Sequence, residues 1–456
     1  MPPELTRAVA EWAHAVYSKS EVPAAVVQAA GAHLVDTVAV TIAGMREAPV
    51  ESVRRATRTR DDSGRFALVL GTAAHALDYD NAQTPSLVHP GCVIVPTAVA
   101  ASVASQRSDA LDLLRAIAVG EEISLWLGEN AVSEGNSVLF ERGFHPTAVC
   151  TPIGAAVTAG LLRGLTPGQL MHAIGTAASL SGGILEGNRT GGQTKPMHAG
   201  FAAAAGLLAV DLAAVGATAP PTALEGRFGF LHAFLGVEPA AVDWPTGELW
   251  RVESVTTKPY PTNGFTHSAI DAALLLRAQG FRLEQGARLR IGVAEQVLRT
   301  IAFPEDAKYA PETPYAARFS GPVVVAIALL RGSGLGVGLA DFDQGNPLRA
   351  TVLDAARRIR FEADPVATAA FPARVAADAL GIDSDGGTHH VHVDTGRGSP
   401  GNPLSAPELR TKFDDCAAPQ LGANATSTLW DALQAVTAGD DKACAAVIST
   451  LTEHFG

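Results

Sequence analysis

The chain has 456 residues and a formal net charge of −12, with 47% hydrophobic and 18% charged residues. That length exceeds what one hydrophobic core usually serves and predicts two domains with extensive burial. The acidic balance excludes a nucleic-acid or anionic-membrane surface, because like charges repel, so any recognition of anions must be local.

The chain opens Met1-Pro-Pro-Glu-Leu-Thr-Arg and passes into an amphipathic segment, which reads as neither an export signal nor a membrane anchor. From residue 5 to about 262 apolar residues recur at spacings of three and four with glycine or proline between runs, as in 23–43 and 167–180, so this region is predicted helical. A helix is expected over 269–276. Strand signals follow at 287–295, 358–362, 370–377 and 388–393, with helices at 323–331 and 348–357 between them. The predicted organisation is mainly α: a helical domain over 1–262, a smaller α+β domain over 263–397, and C-terminal helices over 398–456 that return to the first domain. Alanine-rich helices with little charge predict a homo-oligomer whose interface extends the core.

Three polar residues stand directly before a proline that opens a run of small residues: His89-Pro90, His145-Pro146 and Lys195-Pro196. The residue before proline favours extended geometry and proline suits the first helical position, so each pair predicts a side chain at a helix N-terminus. Free amide groups and the helix dipole there favour carboxylates and disfavour a proton on histidine. Around the first pair the chain reads His75-Ala-Leu-Asp78-Tyr-Asp80-Asn81, and a glycine-rich stretch from Gly182 to Gly192, containing Arg189, leads to Lys195-Pro196-Met197-His198-Ala199-Gly200. A fourth segment, Thr257-Lys258-Pro259-Tyr260-Pro261, delivers His267 to another helix start. The four segments predict one site for an acidic metabolite.

Together these segments resemble the MmgE/PrpD family, which includes 2-methylcitrate dehydratases, cis-aconitate decarboxylases and iminodisuccinate epimerases. The resemblance rests on His75-x-x-Asp78-Tyr-Asp80 with His89-Pro90, on Gly143-Phe-His145, on Thr194-Lys195-Pro-x-His198-x-Gly200, on Leu224-Glu225-Gly226 with Gly229-Phe230, and on Lys258-Pro-Tyr-Pro with Thr266-His267. It implies a helical domain covered by a smaller α+β lid, a dimer, and an active site on Asp78, His89, His145, Lys195 and His267. Two departures stand out: Ala82 replaces the usual threonine and Val323 the usual aromatic, most often tyrosine. Each removes a hydrogen-bond donor, which shifts substrate identity rather than reaction class.

These residue types support proton transfer next to a carboxylate. Lys195, His89 and His267 are the expected acid and base groups, Asp78 orients a histidine or lysine, and Lys258, Arg189, Asp80 and His198 are expected around the substrate. The expected activity is a cofactor-independent lyase on a di- or tricarboxylic acid, with dehydration favoured over decarboxylation or epimerisation and over a non-catalytic binding role. Cys92, Cys150, Cys416 and Cys444 form no CxxC pair, which predicts a reducing, cytoplasmic setting and no iron–sulphur motif. No strand-linked GxGxxG appears. His389-His390-x-His392 reads as a half-exposed strand rather than a metal site, so no metal is expected.

Overall fold

The computed structural model describes residues 4–456 except 61, 134–135, 188–191, 239–241, 243–249, 331 and 344. The chain divides into two units, Met1–Val255 with Ala417–Gly456, and Thr256–Cys416.

The first unit is helical. Its elements are α1 (Leu5–Ser18), α2 (Ala24–Gly44), α3 (Ala48–Ala56), α4 (Ser63–His75), α5 (Gly91–Ser105), α6 (Ala110–Glu129), α7 (Pro146–Leu162), α8 (Pro167–Leu180) and α9 (Thr194–Ala214). Helix starts follow local chemistry. The Asp62 and Asp109 side chains accept amide hydrogen bonds at the starts of α4 and α6, and Thr166 with Gln169 forms a capping box on α8. Helices α2, α5 and α7 are buried on nearly every side, as their lack of a polar face requires. Although the sequence is expected to hold no run of transmembrane length, α2 and α9 are each long and apolar enough to cross a membrane by length and composition alone. Of their apolar windows, 72% and 56% are buried inside the protein.

Small residues let these helices approach closely. A Cβ built on Gly71 of α4 would lie 2.9 Å from the Cα of Gly200 on α9, and one on Gly200 would strike the Leu68 carbonyl and sit 2.5 Å from Thr72 Oγ1. Gly120 of α6 and Gly154 of α7 meet in the same way, with the carbonyl of each in the path of a Cβ on the other. These contacts hold α4 against α9 and α6 against α7 at backbone distance.

The second unit holds α10 (His267–Ala278), β1 (Arg288–Val293), α11 (Gly321–Leu330), α12 (Arg349–Ala356), β2 (Ile359–Ala363), β3 (Ala377–Ile382) and β4 (Thr388–Val393). The sheet order is β2-β1-β3-β4, with β1 and β2 parallel and the other pairs antiparallel. Leu289, Ile291 and Val293 of β1 enter a core shared with Ile270, Phe281, Val324 and Tyr260. The strand expected at 370–377 differs: 365–370 is helical and pairing begins only at Ala377, because the intervening Phe371-Pro372 segment turns the chain before it reaches the ladder. The unit also starts earlier than residue 263. The Thr257 amide donates to the Gly398 carbonyl at 3.0 Å and the Tyr260 hydroxyl to Asp271 at 2.5 Å, which ties 257–260 to this core. After α13 (Ala406–Leu421), helices α14 (Ala423–Thr437) and α15 (Asp441–Phe455) pack on α2, α4, α5 and α6.

Replacing Gly200 by alanine therefore forces α4 and α9 apart. Gly200→Ala is expected to cost about 1–3 kcal/mol, the usual penalty of overpacking, read as a lower urea midpoint with unchanged slope. A midpoint equal to that of the parent would show that the crossing tolerates a methyl group.

Candidate active site

Helix α4 ends at His75, and the next residues turn sharply: Asp78 takes φ +53°, a left-handed conformation uncommon outside glycine and tolerated by aspartate. The chain then runs through the isolated Gln83–Val88 bridge to His89, and Asn81 accepts from the Gly91 amide at 3.1 Å, fastening this loop to the start of α5. The His89 amide donates to Thr147 Oγ1 in the first turn of α7 at 3.0 Å. His145 is the residue before Pro146 at the start of α7, and its amide donates to the Gly183 carbonyl at 3.0 Å. The starts of α5 and α7 are thus stitched together beside the end of α4.

The α9 start differs from the expected X-Pro pattern. The helix begins at Thr194 with Gln193 outside it, so Lys195 and Pro196 both lie in its first turn. An ammonium group there faces the positive end of the helix dipole, an arrangement that needs a counter-charge. Asp78 supplies it: Lys195 Nζ donates to Asp78 Oδ1 at 2.9 Å, with both side chains at least nine-tenths buried.

Next to this pair lies a run of imidazoles. His89 Nδ1 and His75 Nδ1 both bond one oxygen of Asp80, at 2.9 and 2.8 Å. His75 stacks on His145 with centroids 5.4 Å apart, and His145 Nδ1 lies 3.2 Å from His198 Nδ1. Burial, opposed by the Asp80 charge and reinforced by that of Lys195, lowers His75 to about 4. Burial and then Lys195 likewise bring His198 to about 4, and burial with the neighbouring His75 and Lys195 holds His145 well below its ordinary value. Burial alone would raise Asp80, but the two histidines keep its carboxyl well below the usual carboxylate range. At neutral pH the cluster combines one ammonium, two carboxylates and at least three neutral imidazoles.

The structure therefore brings Asp78, Asp80, His89, His145, Lys195 and His198 together. His75, part of the quoted motif but not singled out as a site residue, sits at their centre. Its signal was the spacing of five residues to Asp80 across a turn. His267 and Lys258 lie in the second unit. His267 is the first residue of α10, buried, with its ring edge-on to Tyr260 at 5.5 Å, and Lys258 is buried on the loop before Tyr260. Val323 is part of that unit's apolar core. Arg189 lies outside the described residues.

Among the described residues, His75, Asp80 and His89 each offer one ligand atom close enough to hold a cation, all within 4.8 Å of one another. Their nitrogen–oxygen separations are those of ordinary hydrogen bonds, and the Lys195 charge acts on His75, which opposes a second cation there. The 389–392 histidines lie on β4 as expected, with carboxylates bonded to two of them: Asp383 bonds His389, and Asp378 on the neighbouring strand bonds His390, both at 2.8 Å.

Two family models cover most of the chain, the MmgE/PrpD N-terminal domain over residues 7–243 and the MmgE/PrpD C-terminal domain over 260–436. The chain belongs to the MmgE/PrpD family. It is 27% identical to the cis-aconitate decarboxylase of Mus musculus over 356 residues, covering 76% of this chain and 70% of that protein. It is 28% identical to the Homo sapiens cis-aconitate decarboxylase over 380 residues (81% and 74%) and 26% identical to that of Aspergillus terreus over 385 residues (78% and 77%). The mainly α, two-unit architecture agrees with both family domains.

The neutral imidazoles tie stability to pH. His75 and His198 titrate near 6.5 when unfolded and near 4 when folded, so the unfolded state binds more protons between those values. Stability is expected to fall as pH drops from about 6.5 towards 4, and His198→Asn should make the fall shallower. Urea midpoints at pH 7.5, 6 and 5 measure both slopes, and equal slopes for parent and variant would remove His198 from this account.

Proposed function

We propose that this protein is a lyase that moves a proton at the carbon next to a carboxylate of a di- or tricarboxylic acid. The observation that carries the reading is the buried Lys195–Asp78 pair set beside neutral imidazoles. A protonated amine and unprotonated ring nitrogens in one water-poor site form a matched acid and base. In a dehydration, a His89 nitrogen takes the proton from carbon, a double bond forms, and Lys195 protonates the departing hydroxyl to release water. In a decarboxylation, the bond to a carboxylate breaks, carbon dioxide leaves, and the electron pair left on carbon takes the Lys195 proton.

Dehydration is the reaction that the family resemblance favours. The cis-aconitate decarboxylase relatives support decarboxylation equally, as a second reading that needs the same groups. Ala82, on the loop that carries Asp80, argues for a substrate with fewer hydrogen-bonding groups at that position.

A panel of polycarboxylates incubated in deuterated water separates these outcomes by proton NMR and carbon dioxide release. One acid is expected to yield an unsaturated product, with 2-methylcitrate turned over more than about tenfold more slowly, since one unpaired polar group costs on the order of 1–3 kcal/mol. Lys195→Ala should lower turnover by at least about 10²-fold with the fold intact. Deuterium entering recovered substrate without an unsaturated product would move the protein to epimerisation, and a near-normal Lys195→Ala rate would remove the lysine from the chemistry.

The same reading includes a homodimer. Helix α9 leaves Phe201, Leu208 and Leu212 exposed at spacings of seven and four, with Val215 exposed just past its end, an apolar stripe suited to a second copy. Light scattering after gel filtration should give the mass of two chains, and Leu208→Lys should lower it to one.

A further inference from the structure

The Asp80 carboxylate has an unusual workload. One of its oxygens, Oδ2, meets two imidazole nitrogens, His75 Nδ1 at 2.8 Å and His89 Nδ1 at 2.9 Å, and the Asp80 side chain is completely buried. An ionised carboxylate only accepts hydrogen bonds, so each ring must present an N–H to it. The His75 ring shows the consequence on its other side. Its Nε2 is buried and has no hydrogen-bond partner. A buried unpaired N–H is rarer than an under-used acceptor, which also places the His75 proton on Nδ1.

We propose that Asp80 is a positioning residue that locks His75 and His89 in the Nδ1–H tautomer, leaving an unprotonated Nε2 on both rings for proton transfer. The proposal rests on the lyase reading for its catalytic half and on geometry alone for its tautomer half. Which nitrogen of an imidazole carries the proton is set by the hydrogen bond that the other nitrogen makes. One anion sets two rings here, so the choice is made jointly. Among the described residues, the charged and titratable groups that act on the pair or on its neighbours are Asp78, Lys195, His145 and His198. Lys195 is committed to Asp78, and His145 and His198 engage each other, which leaves Asp80 as the anion that the two rings share. Asp80 thus serves behind the histidines, a different task from the substrate contact expected of it.

The isosteric Asp80→Asn variant tests this. The neutral amide presents to the rings either an oxygen that accepts more weakly than the carboxylate or an NH2 that donates, and both choices favour Nε2–H on at least one histidine. Long-range 15N–1H correlation spectra of histidine-labelled protein read the tautomers directly, with His75→Asn and His89→Gln variants used to assign the two rings. The wild-type protein is expected to show Nδ1–H for both, and Asp80→Asn to lose it on at least one ring. With the substrate found in the polycarboxylate panel, Asp80→Asn should lower kcat by at least about tenfold and change KM less than about threefold, with an unchanged far-ultraviolet circular dichroism spectrum. Nε2–H on either wild-type ring would overturn the proposal, as would an Asp80→Asn variant with parental kcat. Nδ1–H on both rings in a protein inert towards every polycarboxylate would uphold the tautomer assignment and sink the lyase reading. Should Asp80→Asn fail to fold, the wild-type spectrum still decides the assignment.

Discussion

The contact on which the site depends is between two backbones. Gly71 and Gly200 meet where α4 crosses α9, and neither has room for a methyl group. Gly71 lies one turn before His75, and Gly200 little more than one turn after Lys195, so the separation of these functional groups is inherited from the crossing. Side chains on a helix cannot move independently of its axis. A crossing widened by even one methyl group displaces both partners of the Lys195–Asp78 pair relative to one another, since Asp78 follows α4 and Lys195 belongs to α9. The second glycine crossing, Gly120 against Gly154, fixes α7 and thereby His145 in the same manner.

On that frame the electrostatics are economical. Four imidazoles lie in one run, and if several were charged their mutual repulsion in a buried setting would amount to several kcal/mol. Burial and the Lys195 charge keep His75, His145 and His198 neutral instead, while the two carboxylates each answer a specific donor set: Asp78 the ammonium, Asp80 the two Nδ1–H groups. Positive charge is concentrated on one group, Lys195. His75, His145 and His198 each keep one ring nitrogen unprotonated.

What could be read in the sequence was what is decided locally. Proline before a run of small residues marks helix starts whatever the rest of the chain does, so the starts at Pro90 and Pro146 were legible, as were the helix at 167–180 and the strands near 288, 359 and 388. The α9 start was misplaced by two residues because Thr194 can enter a helix ahead of a proline once Gly192 and Gln193 end the preceding loop. The roles of His75 and of the His145–His198 contact were hidden, since the first needs a turn that folds Asp80 back and the second joins positions 53 residues apart. The carboxylates beside the 389–392 histidines were equally invisible: Asp378 reaches them through strand register, which no spacing along one strand displays. The start of the second unit at Thr256 depended on Tyr260 joining a core built from residues much later in the chain.

The left-handed backbone at Asp78 restricts how this position can vary over time. Aspartate, asparagine and glycine adopt that conformation at low cost, whereas alanine and the branched residues pay in strain. A lineage that abandons the lysine counter-charge is therefore steered through asparagine or glycine, and a chain with either residue here is the place to look for a relative that has kept the turn and given up the ion pair.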